Sequence, residues 1–397
     1  MRFLTVSGMF LLGLSLTACQ SKQRKARRAL AAREISLTVD AFLQSAREGQ
    51  LENLSLFLQA GVSANAVAAD GDTAFNAAVA ARKKDAADFL LRHGAGINHQ
   101  NSAGRTPLLM TVADGDIEWT RYLLDAGADP NLAGHENRLP LTVTNSVPLL
   151  NILLNAGARP DERGIQGQPP LVWAVATRNH AMVGGLLDAG ADVDTPANTP
   201  AGNSFVLDTV GDPTLEFYLK KDDGVTPLMV AAGLGDLALV QTLLARGAKK
   251  FRRTTRSETT AIYIACVNRH TAVIQTLLGK MPGAQKFSLG VSLKKQRLTV
   301  TRDGKVWLLV PISSGAQGFE TPRGEFVVTN KHEEWRSNLY NNAPMPFFMR
   351  LNCGAVGLHA GELPGYPASH GCIRLPPSAA EKIFQNVDIG TVVTIGD

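Results

Sequence analysis

A short motif recurs through the middle of the chain at a nearly constant interval. Each copy places a glycine, usually beside an alanine, shortly after an apolar pair such as Leu123-Leu124. Successive glycines are separated by 33, 33, 30, 33 and 57 residues and lie at Gly61, Gly94, Gly127, Gly157, Gly190 and Gly247. A period of this length predicts a solenoid, in which each unit buries its apolar face against the neighbouring units.

The stronger copies open with a turn and a helix start. Thr-Pro-Leu stands at 106–108 and again at 226–228. Threonine can cap a helix, proline suits its first residue, and the later glycine can take the left-handed conformation that ends the second helix. With the period of 33, these residues resemble ankyrin repeats. The resemblance implies an α-helical ankyrin solenoid over residues 37–282, with about seven repeats.

The interval of 57 residues holds an insertion near residues 195–221. Its start has the composition of a loop, and residues 213–220 are predicted to form a short helix. Such insertions project from one face of a solenoid and often belong to its binding side. We therefore expect the repeats to dock an unidentified protein or a cell-wall partner. A spacer that only positions the C-terminal region is the alternative, because a repeat fold does not specify a ligand.

The N-terminus has the pattern of a targeting segment. A positive start precedes an apolar run over residues 3–16, which is shorter than the roughly 20 residues that span a membrane. The run ends in Leu-Thr-Ala-Cys at 16–19 and resembles a bacterial lipoprotein signal peptide, residues 1–18, with Cys19 as the acylated residue. Gln20 favours the outer membrane, facing the periplasm. Plain cleavage after Ala18 is the alternative, and residues 19–36 are expected to be a basic, solvated tether.

Composition limits the partners and cofactors. With 397 residues the chain is expected to contain more than one domain. A net charge of +5 is small and no nucleic-acid motif accompanies it, so no nucleic-acid partner is expected. The spacing of the cysteines Cys19, Cys266, Cys353 and Cys372 fits no metal site, and neither a metal nor an organic cofactor is predicted. Cys266 lies in a predicted helix and is expected to be buried.

After residue 282 the apolar residues alternate with a period of two. We predict strands at 287–293, 297–301, 306–312, 325–329 and 391–395, with a hairpin turn at Asp303-Gly304. Ser378 and Glu381 have the spacing of a capping box and predict the start of a short helix. Residues 286–397 are therefore predicted to be a compact β-rich domain with one short helix.

One loop late in this domain concentrates reactive side chains. Cys372 follows His370 and Gly371, and His359 lies 13 residues upstream. A thiol needs a base or a positive environment to act as a nucleophile, and His359 can supply the base if the loop folds back. Backbone N–H groups near Gly371 and Cys372 could stabilise an oxyanion. These groups are typical of acyl transfer through a thioester.

The residues around Cys372 resemble the catalytic signature of the L,D-transpeptidases of bacterial peptidoglycan. The signature is Ser-His-Gly-Cys-Ile-Arg at 369–374, and Ser-Ser-Gly at 313–315 and Thr-Pro-Arg-Gly at 321–324 match further landmarks of the family. The resemblance implies that Cys372 is the nucleophile and His359 the proton donor and acceptor. It assigns substrate contacts or shaping of the site to Ser369, His370, Gly371 and Arg374.

The implied reaction uses peptidoglycan stem peptides as substrates. Cys372 would release D-alanine from a stem tetrapeptide, and an amine of a second stem would resolve the thioester. Water as the acceptor would instead give an L,D-carboxypeptidase or an amidase. A third hypothesis keeps only binding, through the ankyrin region, with no catalysis.

Several residue roles stay open at this stage. His370 could replace His359 as the base, and Glu362 could carry protons or simply be solvated. Cys353 could form a protective disulfide with Cys372 or remain a buried free thiol.

Overall fold

The structure is a computed structural model that describes residues 20–201, 205, 210–339 and 341–397. The chain divides into two compact units, Met1–Pro170 and Leu171–Asp397. The predicted signal peptide, residues 1–18, and the predicted lipidation site, Cys19, lie outside the described residues. Across the described ranges, no helix combines the length and the apolar composition that crossing a membrane requires.

The N-terminal part of the chain is helical. Its helices are α1 (20–32), α2 (Val39–Glu48), α3 (Leu51–Gln59), α4 (Ala74–Ala80), α5 (Lys84–Arg92), α6 (Pro107–Ala113), α7 (Ile117–Asp125), α8 (Pro140–Val143) and α9 (Val147–Asn155). The series continues with α10 (Pro170–Ala176), α11 (His180–Asp188), α12 (Pro213–Lys221), α13 (Pro227–Leu234), α14 (Leu237–Ala245), α15 (Ala261–Val267) and α16 (Thr271–Leu277). Apart from α1 and α12, these helices follow one another in pairs, which confirms the predicted helical repeat architecture.

The repeats begin and end as their sequences predict. The hydroxyl oxygen of Thr106 accepts a hydrogen bond from the N–H of Leu109, and Pro107 is the first residue of α6. Thr226 and Pro227 do the same for α13. Gly127, which follows α7, has a φ of 96°, in the left-handed region that favours glycine. The cap residues therefore form these helix ends through local interactions.

The segment 19–36, predicted to be a solvated tether, is instead part of the folded first unit over its described residues. Residues 20–32 form α1, and Ala26 and Leu30 are buried. Arg33 donates hydrogen bonds to Asn53 and Glu52 of α3. Ala26 and Leu30 are four residues apart and share one face of α1, while the basic residues of α1 are exposed, so the helix buries one side and solvates the other.

The insertion in the second unit contains the predicted short helix, which is α12. It is packed rather than projecting, because Leu215 and Leu219 are fully buried. Gly233 of α13 lies so close to Leu215 that a Cβ at residue 233 would meet its side chain at 2.5 Å. Thr214 also donates to the side-chain oxygen of Asn268, at 2.6 Å. The described part of the insertion therefore belongs to the core of the solenoid.

The C-terminal part is a β-sheet domain with, among its described residues, one helix. Its strands are β1 (Phe287–Ser292), β2 (Arg297–Arg302), β3 (Lys305–Pro311), β4 (Gly324–His332), β5 (Phe348–Leu351), β6 (Gly357–Ala360), β7 (Ile373–Leu375) and β8 (Val392–Gly396), and the helix is α17 (Pro377–Asn386). The sheet has eight strands in the order β3-β2-β1-β8-β4-β5-β6-β7. Pairs β1–β8 and β6–β7 are parallel, and the others are antiparallel. The predicted fold class, an ankyrin solenoid followed by a β-rich domain, is confirmed.

Two local predictions for this domain had different outcomes. The Asp303-Gly304 hairpin is confirmed, since both residues have positive φ and join β2 to β3. The capping box at Ser378 and Glu381 is wrong. Helix α17 begins at Pro377 and no side chain caps its N-terminus. Proline at the first helical position starts the helix without a cap, because it has no N–H that needs a partner.

Within the second unit, the last repeat contacts the β-domain directly. Gln275 of α16 is buried and donates a hydrogen bond to the carbonyl of Gly390, at 2.8 Å. Arg269 donates to the carbonyl of Arg323, and its guanidinium lies 5.0 Å from the centre of the Phe326 ring. These contacts explain why the second unit includes both helical repeats and the sheet.

Candidate active site

The two predicted catalytic residues lie on neighbouring parallel strands. His359 is in β6, opposite Arg374 of β7, and Cys372 immediately precedes β7. The sequence placed His359 in a loop, and this was wrong. The connecting loop covers residues 361–372, between the two strands. Parallel pairing therefore brings both side chains to one end of the sheet.

His359 is held as a neutral imidazole with a defined tautomer. His359 is 6% exposed, and its Nδ1 lies 2.8 Å from the carbonyl oxygen of Ala360. A carbonyl can only accept, so Nδ1 carries the proton and Nε2 is left as the acceptor. Burial lowers the pKa of His359, and the positive charge of Arg374 lowers it further. The imidazole is therefore available as a base at neutral pH.

Cys372 is held mainly as a thiol. Burial raises its pKa, while the N–H of Gly357 and the charges of Arg374 and Arg350 partly offset that effect. Its Sγ donates a weak hydrogen bond to the carbonyl of Ala355, at 3.7 Å. The thiol and the imidazole are thus both neutral at rest, and forming the nucleophile requires a proton transfer.

A network of buried hydrogen bonds holds the backbone before Cys372. Thr321, 3% exposed, donates to the carbonyl of Gly371 and accepts from the N–H of Gly315. The hydroxyl of Ser369 donates to the carbonyl of Cys372, and the backbone N–H of Ser369 donates to the carbonyl of Ser314. Gly371 has a φ of 104°, which disfavours any other residue. Ser314, Gly315 and Thr321, from the two predicted family landmarks, therefore support the backbone around Cys372.

A cavity of about 270 Å³ opens beside these residues. Of the predicted site residues, it is lined by His359, Ser369, His370, Cys372 and Arg374, and Glu362 also contributes. Gly371 shapes the backbone without lining the cavity. His370 is exposed, and its ring centre is 4.6 Å from that of Phe319. The structure thus brings both histidines to the cavity but buries only His359.

Sequence reasoning missed a second wall and a second arginine. Ser337, Ala343, Pro344 and Met345 line the cavity from the segment between β4 and β5. Arg350 of β5 lies against the rings of Trp335 and Phe348, and its Nη1 donates to the carbonyl of Gly354. No periodic pattern marks the segment between β4 and β5. The local sequence at 347–351, Phe-Phe-Met-Arg-Leu, carries no such pattern either, so Arg350 had no sequence signal.

The cysteines other than Cys372 have neighbours that the sequence did not indicate. Cys266 is buried in α15, as predicted. Cys353 is a half-buried free thiol and not a disulfide partner of Cys372, and its Sγ lies 2.9 Å from the Sγ of Cys266. Within the described ranges, no group of three or more histidine, cysteine or acidic side chains is arranged to hold a metal ion.

A thiol and a neutral imidazole that line one cavity are the arrangement of a cysteine-dependent acyl-transfer site. Comparison with known proteins identifies the families of the two regions. A family model described as the L,D-transpeptidase catalytic domain matches residues 287–395, and a model of ankyrin repeats matches residues 42–133 and 207–288. The chain therefore belongs to the ankyrin-repeat proteins, and it carries an L,D-transpeptidase catalytic domain after the repeats.

Individual relatives resemble one region or the other. Mouse protein phosphatase 1 regulatory subunit 27 is 33% identical over 122 residues, which are 30% of this chain and 79% of that protein. An L,D-transpeptidase structure from Mycobacterium smegmatis is 24% identical, with a TM-score of 0.26. The match covers 28% of this chain and 58% of the chain in that structure. The human ASB11 ankyrin repeat domain is 24% identical, with a TM-score of 0.41. The match covers 61% of this chain and 99% of that domain's chain. This chain thus spans little more than half the length of the transpeptidase structure.

Proposed function

We propose that the chain is a peptidoglycan L,D-transpeptidase of the bacterial cell envelope. The observation that carries this proposal is the pairing of β6 with β7, which puts the neutral imidazole of His359 and the thiol of Cys372 on one cavity within a domain of this family. The substrate would be a stem tetrapeptide, cleaved between its third residue and the terminal D-alanine.

In the first half-reaction, Cys372 attacks the carbonyl carbon of the third residue. Nε2 of His359 accepts the thiol proton, because Nδ1 is already engaged with the carbonyl of Ala360. The N–H groups of Gly371 and Cys372 would stabilise the negative oxygen of the tetrahedral intermediate. The imidazolium then returns the proton to the departing amine of D-alanine, and a thioester remains on Cys372.

In the second half-reaction, the amine of a second stem peptide attacks the thioester. His359 takes a proton from this amine and returns it to the sulfur as the thiol leaves. The product is a crosslink between the two stems. The guanidinium of Arg374 lines the cavity and suits a carboxylate of the donor stem, since arginine binds carboxylates with two parallel hydrogen bonds.

The remaining parts of the chain would hold this site near the peptidoglycan. The proposed lipoprotein signal, with acylation of Cys19, would anchor the protein at the outer membrane facing the periplasm. The ankyrin repeats would bind a protein partner. The mouse relative is named as a regulatory subunit of a phosphatase, and this supports protein binding by the repeats in general rather than any particular partner.

The test is to incubate the full chain with purified tetrapeptide muropeptides and to analyse the products by mass spectrometry. Crosslinked dimers together with released D-alanine are expected. Cys372→Ala should lower turnover by about 10⁴-fold, because it removes the nucleophile. Tripeptide without dimers would replace the transpeptidase with a carboxypeptidase that uses water. Equal turnover by the Cys372→Ala protein would overturn both enzymatic functions and favour a binding role.

A further inference from the structure

A second pair of thiols lies outside the catalytic cavity. Cys266 is in helix α15 of the last repeat, and Cys353 is in the turn between β5 and β6. Their sulfur atoms are 2.9 Å apart, about 1 Å more than the ~2.0 Å of an S–S bond. The two residues are separated by 87 positions in the sequence, so the fold alone brings them together.

The turn that carries Cys353 is held in place from several sides. The N–H of Cys353 donates to the hydroxyl of Thr329, at 3.1 Å. Arg350 donates to the carbonyl of Gly354, at 2.9 Å, and the side chain of Asn352 accepts from the N–H of Val327. Asn352 and Cys353 have φ values of 44° and 54°, in the left-handed region. Such strain persists only where the surroundings hold the backbone in place.

The same turn leads to the nucleophile. Ala355, two residues after Cys353, accepts the hydrogen bond from the thiol of Cys372. Gly357 follows, and its N–H lowers the pKa of that thiol. A change at Cys353 therefore acts on backbone that touches the catalytic sulfur.

We propose that Cys266 and Cys353 form a disulfide that covalently joins the last ankyrin repeat to the turn beside the catalytic cysteine. This redox site is separate from the acyl-transfer chemistry and does not depend on it. The link would reinforce the contacts that Arg269 and Gln275 already make with the β-domain. It would also occupy Cys353, leaving Cys372 as a free thiol.

The chemistry requires an oxidant that is itself a disulfide, such as a thiol–disulfide oxidoreductase or a small disulfide. The thiolate of Cys353 attacks one sulfur of the oxidant and releases the other as a thiolate. Cys266 then loses its proton, attacks the Sγ of Cys353 and releases the second thiol. Two thiols thus become one disulfide, and the oxidant takes up two electrons and two protons.

The two cysteines have different environments, and this sets the order of these steps. Cys353 is half-buried, whereas Cys266 is 3% exposed. The thiol of Cys266 donates to the sulfur of Cys353, and this bond, with Thr329 and the charge of Arg350, lowers the pKa of Cys353. The same bond, together with burial, raises the pKa of Cys266. Cys353 is therefore the residue that meets the oxidant first.

The test uses the full chain, oxidised glutathione as the probe, and N-ethylmaleimide to block the remaining thiols before trypsin digestion without reductant. Tryptic cleavage gives one peptide of residues 257–269 with Cys266 and another of residues 351–374 with both Cys353 and Cys372. The expected product is the joined pair of these peptides, with one N-ethylmaleimide group, on Cys372. A reductant should separate the pair.

The Cys372→Ala protein identifies the sulfur involved. Its oxidised form should yield the same joined pair, now through Cys353 alone, while Cys353→Ser and Cys266→Ser should each abolish it. Three results would overturn the proposal. They are separate alkylated peptides after oxidation, a bond within residues 351–374 between Cys353 and Cys372, and loss of the joined pair in Cys372→Ala.

Discussion

The repeats of the first unit and the β-domain form side-chain hydrogen bonds over different distances in the sequence. In these repeats, residues about one repeat apart bond across successive units: Arg82 donates to Asp116, 34 residues away, and Tyr122 to Asp88, also 34 away. In the β-domain, Thr321 reaches Gly371 over 50 residues, and Ser313 reaches Tyr366 over 53. A repeat can therefore be deduced from its neighbours, whereas the candidate active site requires the whole domain to be folded.

Within the β-domain, the largest expected effects on activity are at the two histidines that line the cavity. His359→Gln removes the buried base and should lower kcat/KM by about 10³-fold. His370→Gln changes an exposed ring beside Phe319 and should lower it by less than about tenfold. Muropeptide turnover measures both. A larger loss in His370→Gln would exchange the roles of the two residues.

The pH dependence of kcat/KM should report the environment of His359. Burial lowers the pKa of this imidazole below its ordinary value of 6.5, and only the neutral form can accept the thiol proton. The rate should therefore hold as the pH falls to 6.5 and then decline about tenfold per pH unit below the lowered pKa. An acidic limb centred above pH 6.5 would contradict this environment.

A matched pair of buried threonines gives the smallest effects and compares the two regions directly. Thr321→Val leaves the N–H of Gly315 and the carbonyl of Gly371 without a partner. It should lower the free energy of unfolding by about 2 kcal/mol and also lower kcat/KM. Thr106→Val removes only a helix cap and should lower the free energy of unfolding by about 1 kcal/mol.

Chemical denaturation and muropeptide turnover measure the two quantities separately. Thr106→Val should leave kcat/KM unchanged, because its lost bond is local to one repeat. An equal fall of kcat/KM in both variants would show that the repeats and the site are not independent.

The sequence predicted elements whose pattern is local. The caps at Thr106 and Thr226, the helix predicted at 213–220 and the Asp303-Gly304 hairpin all depend on residues a few positions apart. The strands β5, β6 and β7 were missed because they are three or four residues long and buried with little or no alternation. His359 and Cys372 were found from their chemistry and a family signature, since nothing in the spacing shows that β6 pairs with β7.

The neighbours of the other cysteines could not be predicted for a related reason. The proximity of Cys266 to Cys353 depends on how α15 docks beside the turn after β5, and no sequence period connects the two. The position of the Arg350 side chain depends likewise on its contacts with Trp335 and Gly354, which lie on different segments. Such contacts follow from tertiary packing alone.

The contact between Gln275 and Gly390 has a practical consequence for dissecting the protein. A fragment that started at residue 283, at the end of the predicted repeats, would lack the amide that satisfies the Gly390 carbonyl and the guanidinium that covers Phe326. The newly exposed Phe326 would make the fragment prone to aggregation, and the loop that contains Gly390 would be less well ordered. A fragment that contains the β-domain should therefore retain helices α15 and α16, which cover this surface.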